Sequence, residues 1–156
     1  MNAPFPYDLD TAVGYAIGHT AHRLKMGLRR AFTLQGHDVT PEQWVVLYRL
    51  YESQGLTQVD LGERTVKDKT SITRILDRLE GKALAERRRD ANDRRSQRIF
   101  LTAEGRTLVE HLVPLVRAYA AEAFADVPPE DRDHLRRILA NIETRLDAMP
   151  EAKDPA

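Results

Sequence analysis

The residues most able to take part in chemistry form a polar, cationic run near the middle of the chain. Lys69, Thr70, Ser71, Thr73 and Arg74 occupy the first part of a predicted helix. Short polar side chains and cations at the exposed start of a helix can reach base edges in the major groove, and an arginine can bind O6 and N7 of guanine together. This pattern predicts a DNA-reading helix. Helix capping is the alternative role for Thr70 and Ser71.

Arginines form a second cationic run shortly afterwards. Arg87, Arg88 and Arg89 are consecutive, and because neighbouring side chains on a strand point to opposite faces, the three cannot all face a core. We expect them, Arg88 included, to line the phosphate backbone of DNA. Pairing with Glu86 or Asp90 is the alternative for some of them.

The overall charge hides the basic character of this region. The 156-residue chain has 24 Lys and Arg against 24 Asp and Glu, a formal net charge of +0. Between Gly62 and Arg98 there are 12 cations and 7 anions, so this window carries +5 and the rest of the chain −5. A basic centre with acidic flanks is typical of a polyanion-binding surface, with a solvated charged face as the alternative.

Polar residues at other helix starts can add contacts to phosphate. Thr40 precedes one predicted helix and Thr57-Gln58 opens another, which makes hydroxyl, amide and backbone N–H groups available to phosphate oxygens. Plain helix capping explains these residues about equally well. Lys67, in the basic region, is also an expected contact.

Three predicted helices and a hairpin position these side chains. Thr40-Pro41-Glu42-Gln43 has the form of a capping box and starts the first helix. A second helix starts at Thr57, with Val59 and Leu61 available for the core, and a third starts near Asp68. After Gly81 the pattern becomes strand-like around a turn at residues 92–95. Arg94 or Arg95 in this turn can enter the minor groove. Residues 39–103 are therefore predicted to form a winged helix-turn-helix.

Long amphipathic helices are predicted on both sides of that region. Apolar residues recur at helical spacing from Leu9 to about Gln35 and in two stretches after residue 104, of which the first contains Pro114. One small domain cannot bury all these stripes, so residues 1–38 and 104–149 are predicted to be a dimerisation region, and 150–156 a disordered tail. The expected fold class is mainly α with a small β-hairpin.

Several of these motifs together resemble the MarR family of bacterial transcriptional regulators. The resemblance is carried by Leu56-Thr57-Gln58 with Leu61, by Ser71-Ile72-Thr73-Arg74 with Asp77, Leu79 and Glu80, by Arg87 to Asp90 leading into Asp93-Arg94-Arg95, and by Leu101-Thr102 with Gly105. One departure is Ala83, where family members usually have glycine, which puts the local turn in question. The resemblance implies a homodimer, expected to be a repressor, on a pseudo-palindromic operator. It also implies that one of Arg94 and Arg95 enters the minor groove while the other pairs with Asp93.

The two lines of reasoning give one set of expected DNA contacts. They are Thr40, Thr57, Gln58, Lys67, Lys69, Thr70, Ser71, Thr73, Arg74, Arg88, Asp93, Arg94 and Arg95.

The resemblance further implies release from DNA by a small effector, bound between the dimerisation helices and the winged region. An aromatic cleft with protonatable or cationic groups suits an aromatic or anionic ligand. The candidate lining residues are Tyr15, His19, His22, Arg23, Trp44, Leu47 and Tyr48. For each aromatic residue, ordinary core packing is the alternative.

Other classes of protein are less well supported by the sequence. The absence of cysteine excludes disulfides, thiolate zinc sites and iron–sulfur clusters, and the histidines follow no metal-binding motif, so neither a metal nor a cofactor is expected. The sequence contains neither a glycine-rich phosphate loop nor a nucleophile elbow, so an enzyme is not expected. No apolar stretch predicts a membrane span or a secretion signal, so a cytoplasmic location is expected. A metal-responsive regulator of the same fold and a winged-helix protein-interaction module are the alternatives.

Overall fold

The computed structural model describes residues 8–93 and 95–150, and within these ranges helices predominate. After a 3-10 turn at Leu9–Thr11, the elements are α1 (Val13–Leu34), α2 (Pro41–Glu52), β1 (Leu56–Thr57), α3 (Gln58–Thr65), α4 (Lys69–Gly81), β2 (Ala85–Arg89), β3 (Gln97–Leu101), α5 (Ala103–Ala123) and α6 (Pro129–Asp147). The predicted class, mainly α with a β-hairpin, is confirmed. The predicted tail falls almost entirely outside the described residues.

The chain divides into two compact units, Met1–Tyr119 and Ala120–Ala156, and the boundary falls within α5. The first unit contains the hydrophobic core, whose fully buried members are Phe32, Val46, Leu47, Leu50, Leu61, Ile72, Leu76, Leu79, Ile99, Val109 and Leu112. The expectation that Val59 joins this core is wrong, since its side chain is 69% exposed. Residues two apart on a helix lie on nearly opposite faces, so Val59 cannot accompany Leu61 inward.

Side-chain caps start the three central helices at the residues that the sequence indicated. The Thr40 hydroxyl accepts from the Gln43 N–H at 3.1 Å, and the Gln43 side chain accepts from the Thr40 N–H at 3.2 Å. Thr57 and Asp60 form the same reciprocal pair at the start of α3, and Asp68 accepts from the Ser71 N–H at the start of α4. Each cap stabilises its helix by about 1 kcal/mol.

The three strands form an antiparallel sheet in the order β1-β3-β2. Strands β2 and β3 are the predicted hairpin, called the wing below, with Arg87 opposite Ile99. Strand β1 was not predicted. It has only two residues, Leu56 and Thr57, and it becomes a strand by pairing with Ile99 and Arg98 of β3. Such a short edge has no alternating pattern of its own.

The turn after α4 holds Ala83 in the left-handed region, with a φ of 55°. This is the position where members of the family that the sequence resembles usually have glycine. The turn is kept by backbone bonds from the Ala83 N–H to the Glu80 carbonyl and from the Leu84 N–H to the Leu79 carbonyl. A side chain with a Cβ atom raises the energy of this conformation by about 1–2 kcal/mol, whereas glycine adopts it freely.

We therefore expect Ala83→Gly to stabilise the protein by about 0.5–1 kcal/mol, after allowance for the greater entropy of glycine in the unfolded chain. Thermal and urea unfolding measure the change. Ala118→Gly is the control, because Ala118 is exposed in the interior of helix α5, where glycine is unfavourable. Equal destabilisation by both substitutions would contradict the prediction.

Apolar side chains remain exposed on the terminal helices of the single chain. On α6, Leu135, Ile138, Ile142 and Leu146 are between 37% and 58% exposed, and none of the α6 residues is buried. On α1, Val13 is 69% exposed. Among the described helices, none is long and apolar enough to cross a membrane. These stripes are therefore surfaces without a covering element within their own unit.

Candidate nucleic-acid interface

Helix α4 presents a polar outer face opposite its buried one. Ile72, Leu76 and Leu79 are fully buried, while Thr70 and Arg74 are exposed. These two are four residues apart and lie on the same face of the helix. Arg74 forms no ion pair with any residue in the described ranges, so its guanidinium is available to an external acceptor.

The remaining polar side chains near the start of α4 are bonded within the protein. The Ser71 hydroxyl donates to Asp68 at 2.7 Å, and the Thr73 hydroxyl donates to the Lys69 carbonyl at 2.8 Å. The Gln58 amide donates to the Thr73 hydroxyl at 2.6 Å and thereby ties α3 to α4. Bonds from the Ser71 hydroxyl and N–H lower the pKa of Asp68.

These bonds divide the predicted contacts into two groups. Thr40, Thr57 and Ser71 have hydroxyls engaged in helix caps, which supports the capping alternative, and Gln58 and Thr73 hold two helices together. Contacts from these five residues to DNA stay predictions.

A concave groove of about 810 Å³ lies between α3, the start of α4 and the wing. Its charged lining consists of the cations Lys67, Lys69, Arg87, Arg89 and Arg95 and the anion Glu63. Thr57, Gln58 and Val59 form part of the wall on the α3 side. A groove lined by five cations and one carboxylate attracts a polyanion.

The three consecutive arginines of β2 differ in their surroundings. The Arg87 guanidinium binds Asp77 at 2.9 Å and also contacts Glu80. Arg88 pairs with Glu86 and lies over the Phe100 ring, 4.7 Å from its centroid.

Alternation along the strand places Arg88 on the face opposite Arg87 and Arg89. The groove therefore contains Arg89, which the sequence grouped with its neighbours as an expected phosphate contact, and not Arg88, the one arginine of β2 in the final set of expected contacts. A phosphate contact by Arg88 stays a prediction, since its side chain is 58% exposed.

The wing tip is organised by a buried carboxylate. Asp90 is 7% exposed and accepts from the Asn92 N–H at 2.8 Å and the Asp93 N–H at 3.2 Å. It also contacts Arg98, whose guanidinium donates to the Gly55 carbonyl at 2.9 Å. The Asn92 N–H, followed by Arg98, lowers the pKa of Asp90. This network joins the wing tip to the loop before β1.

Asp93 accepts from the backbone N–H of Arg95 at 2.9 Å, and Arg95 lies in the groove lining. Arg94 lies outside the described residues. The assignment of one arginine to the minor groove and the other to Asp93 therefore stays a prediction.

The effector candidates do not come together within one chain. Tyr15 and His19 stack at 5.8 Å on the exposed surface of α1, whereas Trp44 packs edge-on against Phe32 in the core. At 1.5 Å per residue, His19 lies about 20 Å along α1 from Phe32. Tyr15 and His19 therefore do not share a pocket with Trp44 of the same chain.

The other effector candidates are likewise separated, some in the core and some on the exposed surface of α1. Leu47 is fully buried and Tyr48 packs on Trp44 at 5.1 Å, which supports the core-packing alternative. His22 and Arg23 are exposed on α1. In the part of the chain that the structure describes, no group of three or more His, Asp or Glu side chains is arranged to hold a metal ion.

The chain is similar to known transcriptional regulators in sequence and in structure. The sequence model of the MarR family matches residues 39–97, which include α2 to α4 and most of the wing. The transcriptional regulator MOSR of M. tuberculosis, whose structure is solved in complex with DNA, is 31% identical in sequence to this chain. The match covers 88% of this chain and 97% of that one, with a TM-score of 0.77. The chain belongs to the MarR family.

Two further relatives of this MarR-family chain are informative. It is 36% identical over 103 residues to the HTH-type transcriptional regulator TtmR of Methylorubrum extorquens, a match that covers 66% of this chain and 52% of TtmR. The chain thus spans about half the length of that curated relative. It is 25% identical to BpsR of Bordetella bronchiseptica, with coverage of 89% and 98% and a TM-score of 0.81. The structure of BpsR concerns regulation of its DNA binding by 6-hydroxynicotinic acid. The family consists of transcriptional regulators and not of enzymes, as the sequence predicted.

Proposed function

We propose that this MarR-family chain is a sequence-specific DNA-binding regulator whose helix α4 reads the major groove. The observation that carries the proposal is the exposed pair Thr70 and Arg74 on the outer face of α4, beside a groove lined by Lys67, Lys69 and other cations. In this arrangement Arg74 and Thr70 contact base edges, while the groove cations bind phosphate.

The regulator acts as a homodimer in this proposal. The exposed apolar stripes of α1 and α6 support it, because a second copy would bury surfaces such as Ile138 and Ile142. Two α4 helices related by a twofold axis then occupy successive major grooves, and the operator is pseudo-palindromic. A dimer that covers a promoter represses transcription by excluding the polymerase. The cytoplasm, where the DNA lies, is its proposed location.

A small aromatic or anionic effector releases the dimer from DNA in the same proposal. The exposed Tyr15 and His19 pair, with His22 and Arg23 on the same helix, supports it, since aromatic rings beside protonatable and cationic groups suit such a ligand. A second copy of the chain completes the pocket. Titration of the operator complex with 6-hydroxynicotinic acid and related aromatic acids tests this part.

The base-reading role of α4 has a direct test. An operator is first selected by the parent protein from random DNA, and binding of Arg74→Ala to that operator, its single-base variants and random DNA is followed by fluorescence anisotropy. We expect Arg74→Ala to lose about tenfold or more of the preference for operator over a variant at one position, because a bidentate arginine–guanine contact contributes about 1–3 kcal/mol of discrimination.

Arg49→Ala is the matched control, since Arg49 lies on α2 and pairs with Glu52 on the protein surface. It should leave binding unchanged. Equal losses of Arg74→Ala on operator and random DNA would show that Arg74 contacts phosphate and not a base.

A further inference from the structure

We propose that Arg87 is a positioning residue, and that its ion pairs with Asp77 and Glu80 set the angle between the wing and α4. A consequence is that neutralising Asp77 weakens DNA binding, although the change removes a negative charge close to a polyanion. The inference rests on the proposed function of α4 and the wing in DNA binding.

The contacts of Arg87 tie β2 to α4 at three points. Its backbone N–H donates to Glu80 at 2.8 Å, one guanidinium nitrogen contacts Glu80, and the other donates to Asp77 at 2.9 Å. Asp77 and Glu80 are three residues apart on one side of the helix. The Arg87 side chain is only 17% exposed, so water competes little for these bonds.

The same contacts argue against a direct role of Arg87 in DNA binding, although it lines the groove. Its charge is balanced by two carboxylates, and a move towards a phosphate would leave Asp77 and Glu80 without a partner beside the DNA. Arg89 provides the contrast. It lies on the same face of the same strand, lines the same groove and is exposed, and it forms no ion pair with the described residues.

The ion pairs of Arg87 lie some distance along the wing from its tip. A small change of angle at Arg87 therefore displaces the tip. From Arg87 to Asp90, just past the end of β2, the extended chain covers about 10 Å before the turn. A tilt of about 10° at Arg87 would thus displace the start of the wing tip by about 2 Å, which exceeds the tolerance of a hydrogen bond. With α4 held in the major groove, the groove cations near the tip would then miss their phosphates.

Binding affinity measured against salt concentration separates positioning from direct contact. The parent, Asp77→Asn, Arg87→Lys and Arg87→Gln are titrated with the selected operator at several salt concentrations, together with two controls. Glu63→Gln is the control for charge, since Glu63 lines the groove and pairs with no described residue. Arg89→Ala is the control for a lost phosphate contact.

The variants are expected to behave differently. Asp77→Asn and Arg87→Lys should each weaken binding about tenfold with the parent's salt slope, because a charge-assisted bond is weakened while no phosphate contact is lost. Their combination should add little, since both changes act on one interaction. Glu63→Gln should bind more tightly, and Arg89→Ala should bind more weakly with a slope reduced by about 0.9.

The possible failures are distinguishable. If the parent binds operator and Arg89→Ala lowers the slope, but Asp77→Asn binds as tightly as Glu63→Gln, then the positioning role of Arg87 is wrong and the proposed function stands. A lower salt slope for Arg87→Gln, which removes the cation that lysine keeps, would likewise make Arg87 a phosphate contact. If the parent binds no DNA at all, both the proposed function and this inference fail. Asp77 is 59% exposed, so Asp77→Asn decides the matter even if Arg87→Lys does not fold.

Discussion

Gly105→Ala is expected to destabilise the winged region severely. A Cβ atom at Gly105 would lie 2.0 Å from the carbonyl oxygen of Leu84 and 3.2 Å from a methyl carbon of Leu101. The Leu84 oxygen also accepts from the Thr102 N–H at 3.2 Å, and the Gly105 N–H donates to the Thr102 hydroxyl at 3.0 Å. The backbone on both sides of the clash is therefore held in place.

The expected cost is about 4 kcal/mol or more, because relief requires the first turn of α5 to move away from the loop before β2. A loss of this size is a large part of the stability of a small domain. Circular dichroism against temperature and urea measures it. Gly81→Ala is the matched control, since Gly81 is also in a helix but nothing lies within 4 Å of its Cβ position. That variant should keep or slightly gain stability, and equal behaviour of the two variants would contradict the argument.

Ile138→Lys combined with Ile142→Lys is expected to convert the proposed dimer into monomers. Both side chains belong to the exposed stripe of α6, at 44% and 37% exposure, and both line the apolar hollow that includes Leu146. Burial of one such side chain contributes about 1.5–3 kcal/mol, and each appears twice in a twofold-symmetric interface. The dissociation constant should therefore rise by about a thousandfold or more.

Analytical ultracentrifugation at micromolar concentration measures the change, and operator affinity should fall with it because two half-sites are no longer bound together. Thr144→Lys is the control, since Thr144 is exposed on the opposite side of α6 and should leave the dimer intact. A parent protein that sediments as a monomer would contradict the dimer, whereas an unchanged dimer in the double variant would exclude the α6 stripe from its interface.

Some features of this protein could be predicted from single residues and their neighbours. Thr40, Thr57 and Asp68 start helices because a short side-chain oxygen binds an N–H group three residues later, which is a local interaction. The end of α1 at Leu34 falls close to the predicted Gln35, and Gly36 follows with a φ of 79°, which a residue without a Cβ atom adopts freely. Periodicity of apolar residues over many turns likewise predicted the long helices at both ends.

Other features depend on partners that are distant in the sequence. Strand β1 exists because β3 pairs with it, and Gly105 is required because the carbonyl of Leu84 lies against it. Asp90 joins the wing tip to the loop at Gly55 through Arg98. Nothing within a few residues of these positions specifies the partner, so pattern reasoning could not identify them.

The arginines of β2 show most clearly what the sequence determined about this protein and what the tertiary structure determined. By itself the sequence determined that a cationic strand follows a helix with exposed Thr70 and Arg74, because composition and alternation are properties of the chain. Only the tertiary structure decided that Arg87 binds two carboxylates of α4, that Arg88 faces Phe100, and that Arg89 lines the groove without an ion pair to a described residue. The physical reason is that three identical side chains differ only in what surrounds them, and those surroundings come from α4 and β3.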